Sequence, residues 1–186
     1  MNQLKYGIFF VFFAALIVGC GAKKNKDSEK QQTASQQTTP GQYISQAVFT
    51  NFEGDSVRVA DFEGKVVLID FWETWCKPCT SSFPGVQKLI EEYPNDFVAL
   101  AVTPGFTNTQ KDAQNFAQSN EYDFVYLMDA TGLHKKLGVR GIPYKVFVDP
   151  QGDYIKSSMG SGGPERDYKT IKQIIEKHKV ASASSK

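Results

Sequence analysis

Apolar runs alternate with amphipathic segments from about Gln46 onwards. Val66–Trp72 is a continuous apolar run rich in β-branched residues and interrupted by Asp70, and it predicts a buried central strand. Phe97–Val102 predicts a second buried strand. Strands that alternate with helices are typical of α/β domains, so we expect a three-layer sandwich in which helices flank a central mixed β-sheet.

Turn and capping signals predict the remaining elements of one domain over residues 42–180. Gly54-Asp55 indicates a hairpin turn, Pro84 a kink in the helix after the central strand, and Gly138 a helix end. The predicted elements are a hairpin of Gln46–Phe52 with Ser56–Val59, helices at Cys76–Tyr93, Thr109–Ser119 and Thr131–Leu137, a strand at Phe124–Met128, a hairpin of Lys145–Val148 with Tyr154–Ser158, and a final helix opened by Pro164.

The first 19 residues have a different pattern. Lys5 precedes an unbroken apolar run, Ile8–Val18, which is shorter than the about 20 residues that a membrane-spanning helix needs. This is typical of a secretory signal. Its end, Leu16–Cys20, resembles the bacterial lipobox, which implies a signal peptide at residues 1–19 and a lipid anchor on Cys20. The alternatives are an ordinary signal with an incidental cysteine, or an uncleaved anchor.

The segment after Cys20 has the composition of a flexible tether. Residues 22–40 contain no aromatic residue and are rich in Lys, Gln, Ser and Thr, so they cannot bury enough apolar surface to offset the entropy of ordering. We expect a tether over residues 20–41 and disorder over residues 181–186. Gly21 stands where an aspartate would resemble an inner-membrane retention signal, which favours the outer membrane of the cell envelope.

Charge gives no reason to expect a nucleic-acid partner. The chain has 21 Lys+Arg and 20 Asp+Glu, and the part from Cys20 onwards is balanced because Lys5 is the one charged residue before it. No cofactor is expected either.

The two cysteines of Trp75-Cys76-Lys77-Pro78-Cys79 directly follow the predicted central strand. Two cysteines separated by two residues at a strand-to-helix junction can form a disulfide that opens and closes. The alternatives are a zinc site or a static disulfide. Zinc usually takes four ligands, and outside this pair the chain has only Cys20 and two histidines, so we expect no metal. So short a loop gains little entropic stabilisation from a static disulfide.

Two motifs carry a family resemblance. Ile69–Cys79 resembles the active-site segment of thioredoxins, and Gly141-Ile142-Pro143 with the hairpin that follows resembles their cis-proline loop. The N-terminal hairpin and an extra helix and strand between Val102 and Leu133 resemble the membrane-tethered TlpA/ResA-type thiol-disulfide oxidoreductases of the bacterial envelope. The resemblance covers about residues 46–178. It implies a thioredoxin-like fold with an N-terminal β-hairpin and an inserted helix–strand element.

The helix start predicts different roles for the two cysteines. Unpaired N–H groups and the positive end of the helix dipole stabilise a thiolate at Cys76, and Lys77 adds a positive charge. We therefore expect Cys76 to be the exposed nucleophile, because the thiolate is the attacking species. Cys79 lies one helical turn further on. It should be shielded and should resolve the mixed disulfide.

Asp70 matches the buried aspartate of thioredoxins, which lies beneath the resolving cysteine. Burial should raise its pKa, so that Asp70 accepts and donates the proton of Cys79. The alternative is an aspartate that is exposed or bonded to the backbone. Tethered relatives often have Asn at this position and Glu three residues after the second cysteine, where this chain has Ser82. We hypothesise that Asp70 replaces that glutamate. Glu73 is expected to be solvated at the rim of the site.

The resemblance also implies a cis peptide bond before Pro143. This bond would turn the backbone of Ile142 towards Cys76, where it could pair with an extended substrate segment. Trp75, Ile142 and Tyr144 would then form an apolar, substrate-binding rim. Tyr144 is a departure, because threonine is usual there.

These expectations favour a thiol-disulfide oxidoreductase that is tethered to the membrane and reduces envelope proteins, with cytochrome c maturation as one possible role. An oxidising compartment requires an electron donor, which we expect to be a membrane protein. One alternative is a thiol peroxidase, but such enzymes have Thr three residues before the nucleophile, where this chain has Glu73. The other is a polypeptide-binding module without redox turnover.

Overall fold

The structure is a computed structural model that describes residues 38–183. The predicted signal peptide, Cys20 and most of the predicted tether lie outside the described residues. The elements in chain order are α1 (Pro40–Ser45), β1 (Phe49–Thr50), β2 (Ser56–Val57), a 3₁₀ turn (Val59–Phe62), β3 (Val66–Phe71), α2 (Lys77–Glu92), β4 (Phe97–Thr103), α3 (Gln110–Gln118), β5 (Val125–Met128), α4 (Leu133–Lys136), β6 (Tyr144–Val148), β7 (Tyr154–Met159) and α5 (Pro164–Ala183).

The seven strands form one mixed sheet in the order β2-β1-β5-β4-β3-β6-β7. β3, β4 and β5 are parallel, whereas β6 is antiparallel to β3, and β7 and β1 are antiparallel to their neighbours. β3 is therefore a central strand with a partner on each side. All six of its residues are buried, as the continuous apolar run predicts.

Alternation along β3 divides the core into two clusters. Leu68 and Trp72 pack with residues of α2, α3 and α5 on one face of the sheet, which we call the α2 face. Ile69 and Phe71 pack with residues of α1 and α4 on the other, which we call the α4 face. The predicted three-layer α/β sandwich with an N-terminal hairpin and an inserted helix and strand is confirmed.

The structure differs from the predicted elements at several ends. Helix α1 was not predicted, and it begins at Pro40 because Thr39 and Gln42 form a capping box. β1 has only two residues, because Gln46 still caps α1. Helix α4 begins at Leu133, since Gly132 adopts a left-handed φ of 67°.

The predicted disorder of residues 181–186 is wrong for its first half. Helix α5 continues to Ala183. Alanine has the highest helix propensity, which is consistent with this extension. Within the described residues, no helix is both long and apolar enough to cross a membrane.

Candidate active site

The disulfide lies where β3 ends and α2 begins. Cys76 is the N-cap of α2, and its Sγ accepts a hydrogen bond from the backbone N–H of Cys79 at 3.3 Å. A disulfide joins Cys76 to Cys79, whose Cα atoms are 5.3 Å apart. The predicted position of Cys76 at the helix start is confirmed. Its sulfur therefore feels the helix N-terminus directly, which is the physical condition for a stabilised thiolate after reduction.

The predicted exposure of Cys76 is wrong for this disulfide form. Cys76 is only 2% exposed and Cys79 is fully buried. Both belong to the cluster on the α2 face, together with Trp72 and Phe83, because the first turn of α2 packs directly against the sheet. The expected shielding of Cys79 agrees with the structure.

The Ile142–Pro143 peptide bond is cis, as predicted. Pro143 is buried, and its carbonyl oxygen accepts a hydrogen bond from Gly160 N–H at 2.8 Å. The next residue, Tyr144, pairs with Phe71 at the end of β3. The cis-proline loop therefore lies at the same edge of the sheet as the start of α2.

Tyr144 does not belong to the rim of this site, contrary to prediction. Its ring packs on the α4 face, with its centroid 6.4 Å from that of Phe71, and its hydroxyl donates to Ser157 Oγ at 2.9 Å. Side chains alternate along β6, so Tyr144 and Lys145 point to opposite faces. Ile142 is half-buried and contacts both core clusters.

Three exposed apolar side chains lie at this edge instead. Among the described residues, the large apolar side chains with high exposure are Trp75 (57%), Phe106 (41%) and Met159 (63%). Trp75 precedes Cys76, Phe106 lies in the loop after β4, and Met159 ends β7 next to Gly160. The prediction that Trp75 is a rim residue agrees with its exposure, whereas Phe106 and Met159 were missed. No local pattern separates them from ordinary loop residues.

Glu73 is a buried hydrogen-bonding centre, so its predicted solvation is wrong. Its side chain is inaccessible and accepts hydrogen bonds from Trp75 Nε1 at 2.6 Å, Phe106 N at 2.5 Å and Thr107 Oγ1 at 2.8 Å. Burial alone would raise the pKa of Glu73, but the bonds from Thr107, Trp75 and Phe106 outweigh it and lower the pKa. The ionised carboxylate thus fixes the loop after β4 against Trp75.

Asp70 is buried and forms an ion pair with Lys145, which sequence analysis missed. The two residues are direct cross-strand partners, with 3.1 Å between Lys145 Nζ and Asp70 Oδ2. Apart from this ion pair, neither charged group has a hydrogen-bonding partner among the described residues. Burial raises the pKa of Asp70, Lys145 opposes that rise, and Asp167 adds to it. The predicted direction of the shift is therefore confirmed.

The position of Asp70 fits its predicted association with Cys79. Asp70 alternates with Ile69 and Phe71 along β3, so it lies on the α2 face with Cys79. Ser82 offers no carboxylate near the disulfide. Its hydroxyl donates a hydrogen bond to the backbone oxygen of Cys79 at 2.8 Å.

The described residues contain no group of three His, Cys, Asp or Glu side chains close enough to hold a metal ion. His134 is buried and its Nδ1 lies 2.6 Å from Asp129 Oδ2, so this pair is already satisfied.

Residues 40–156 match the AhpC/TSA family. This match spans more than half of the chain and includes the disulfide and the cis-proline loop. The chain belongs to the AhpC/TSA family. The thiol-disulfide oxidoreductase ResA of Bacillus thuringiensis subsp. konkukian is 28% identical over 160 residues, which cover 86% of this chain and 92% of ResA. The thioredoxin-like protein YneN of Bacillus subtilis is 31% identical over 115 residues, or 60% of this chain and 66% of YneN.

A solved structure shows the same fold. The exposed lipoprotein thioredoxin Etrx1 of Streptococcus pneumoniae superposes with a TM-score of 0.57 and 29% identity, covering 68% of this chain and 97% of Etrx1. The AhpC/TSA domain described here is therefore thioredoxin-like, and the protein is a thiol-disulfide oxidoreductase.

Replacing Glu73 in this AhpC/TSA domain should remove the hydrogen bonds that hold the loop after β4. Glu73→Ala leaves the donors of Trp75, Phe106 and Thr107 without their charged acceptor. Because these donors are only partly buried, we expect the free energy of unfolding to fall by about 2 kcal/mol. Guanidinium denaturation of the oxidised protein measures this loss. Because the Trp75 indole loses one of its two acceptors, the fluorescence of Trp75 should change while that of buried Trp72 does not.

Glu63→Ala is the matched control, since Glu63 is exposed and its side chain makes no hydrogen bond among the described residues. The control should change stability by less than about 0.5 kcal/mol. Equal losses for the two variants would contradict the role assigned to Glu73.

Proposed function

We propose that the Cys76–Cys79 pair exchanges disulfides with other proteins and works as a reductant. The observation that carries this proposal is the disulfide at the N-terminus of a 16-residue helix, beside the cis-proline loop. In the reduced protein, the Cys76 thiolate attacks one sulfur of a substrate disulfide and releases the other as a thiolate. The Cys79 thiolate then attacks Cys76 Sγ and releases the second substrate sulfur. Two electrons pass to the substrate, and the internal disulfide forms.

Asp70 is proposed as the group that accepts the proton of Cys79 in the second step. It is buried on the α2 face with Cys79, and its pKa is raised by burial. A raised pKa brings a carboxylate closer to the working pH of a general base. Lys145 limits this rise, so the ion pair sets where Asp70 ionises.

We further propose that Cys20 carries a lipid that anchors the domain in the cell envelope, facing the periplasm or the exterior, with the outer membrane favoured. The signal-like leader supports this, as does similarity to Etrx1, which is named an exposed lipoprotein thioredoxin. A reductant there needs a membrane electron donor, because envelope compartments are oxidising. Cytochrome c precursors are one candidate substrate.

The alternatives have less support. A thiol peroxidase of the kind considered above needs Thr three residues before its nucleophile, and in this chain that position holds Glu73, whose carboxylate is occupied by the loop after β4. A binding module without turnover would not need a disulfide at a helix start.

Insulin reduction with dithiothreitol as donor tests the exchange reaction. The wild-type protein should accelerate precipitation of the insulin B chain, whereas the double variant Cys76→Ser/Cys79→Ser should show only the rate of dithiothreitol alone. Cys20→Ser is the matched control and should retain the wild-type rate. Equal rates for the wild type and the double variant would favour the binding module and contradict exchange.

The pH dependence of disulfide formation tests Asp70. If ionised Asp70 accepts the Cys79 proton, the rate at which a small neutral disulfide oxidises the reduced protein should rise as Asp70 ionises. Asp70→Asn should remove this rise and slow the reaction by about 10²-fold, the lower end for a general base. Lys145→Met should move the rise to higher pH, because Lys145 lowers the pKa of Asp70.

Thiol titration of the same variants completes the measurement. Rates and thiol titration curves that are unchanged in Asp70→Asn between pH 6 and 9 would show that Asp70 has no part in proton transfer.

A further inference from the structure

The loops around the disulfide present basic charge beside apolar surface. Five loops lie at this edge of the sheet: the ends of β3, β4, β5 and β7 and the loop that leads into β6. Their exposed charges are Lys77, which follows Cys76, and Arg140, which lies three residues before the cis-proline. Neither forms an ion pair with another described residue.

The acidic groups near this edge do not offset those charges. Asp167 is buried and accepts hydrogen bonds from Ser161 Oγ and Gly162 N in the loop after β7. Glu165 is exposed at the start of α5, but the exposed Arg166 directly follows it. The Glu73 carboxylate is buried beneath Trp75 and Phe106. The Asp129 side chain is also inaccessible and is paired with His134. Asp112 is exposed at the start of α3, but its carboxylate caps that helix through Thr109, and Lys111 precedes it.

Exposed apolar side chains lie at the same edge of the sheet as these basic groups and the disulfide. Trp75 is held in place by its single indole N–H, which is shared between Glu73 Oε2 and Thr107 Oγ1, the latter 2.7 Å from Nε1. The same loop presents Phe106, which is bound to Glu73 through its backbone. These side chains are exposed yet fixed, so a partner can cover them at a low cost in conformational entropy.

We infer that the partner bound at this edge is an extended polypeptide segment that carries acidic and apolar side chains next to its reactive cysteine. This inference rests on the proposed function and specifies its substrate. Acidic side chains complement Lys77 and Arg140, and apolar side chains cover Trp75, Phe106 and Met159. Complementary charge speeds association and excludes partners with like charge.

Two matched peptides provide the test. Each is short, has one central cysteine held as a mixed disulfide with 2-mercaptoethanol, and shares its apolar residues, but one has Asp and Glu beside the cysteine and the other has Lys. The reduced protein converts either peptide to its free thiol and releases 2-mercaptoethanol, while Cys76 and Cys79 become the disulfide. We expect a second-order rate constant at least about tenfold higher for the acidic peptide at low ionic strength. The difference should collapse at 1 M salt, where the Debye length is about 3 Å.

Charge reversal separates docking from chemistry. Lys77→Glu/Arg140→Glu should invert the ratio of the two rate constants, and the ratio is informative because any change in the reactivity of Cys76 affects both peptides equally. Lys156→Glu/Lys177→Glu makes the same change in total charge on β7 and α5 and should keep the wild-type ratio. Equal rate constants for both peptides, or a ratio that only the control variant alters, would overturn the inference.

The proposed function can be judged separately in the same experiment. Bis(2-hydroxyethyl) disulfide has no side chains to recognise. Reaction with it but no preference between the peptides would refute the docking inference alone. Absence of reaction with all three disulfides would refute the exchange function itself.

Discussion

The placement of β3 between β4 and β6 is the constraint on which the site depends. Phe71, the last residue of this strand, pairs with Val102 on one side and with Tyr144 on the other. This register brings three chain segments that are distant in sequence to one edge: the start of α2, the loop after β4 and the cis-proline loop. Since β3 is buried on both faces, its position is fixed by the whole core rather than by the loops.

Two buried acids at this edge are controlled in opposite ways. Glu73 receives hydrogen bonds from two side chains and several backbone groups, and these outweigh burial, so its pKa falls. Asp70 has only its ion pair with Lys145 among the described residues, and burial outweighs that one interaction, so its pKa rises. A charge-assisted hydrogen bond contributes about 1.5–3 kcal/mol, so the number of donors decides which effect dominates. Glu73 therefore stabilises the loop after β4 as a carboxylate, whereas Asp70 is suited to proton transfer.

The strands, the helix start and the cis-proline could be predicted because they are encoded locally. An apolar run, a cysteine pair and a Gly-Ile-Pro motif need no knowledge of distant contacts. The burial of Glu73 could not be predicted, because most of its donors lie in a loop more than thirty residues away. The exposure of Cys76 was predicted wrongly for a similar reason, since its burial depends on how α2 packs against the sheet.

The pairing of Lys145 with Asp70 and the direction of the Tyr144 side chain could have been predicted from the sequence. Asp70 and Lys145 are the single charges in two otherwise apolar strands, and opposite lone charges in neighbouring buried strands indicate a pair. If Lys145 faces Asp70, period-two alternation places Tyr144 on the opposite face, away from the disulfide.

Selective alkylation of the reduced protein shows whether Cys76 is the attacking sulfur, because it reports the reactivity of each sulfur without a substrate. Iodoacetamide labelling at several pH values, followed by mass spectrometry, gives the rate and the apparent pKa for each cysteine. We predict that Cys76 is labelled first, with a pKa below the about 8.5 of an ordinary thiol, and that Cys79 is protected. Equal labelling of both cysteines with ordinary thiol pKa values, or earlier labelling of Cys79, would contradict it.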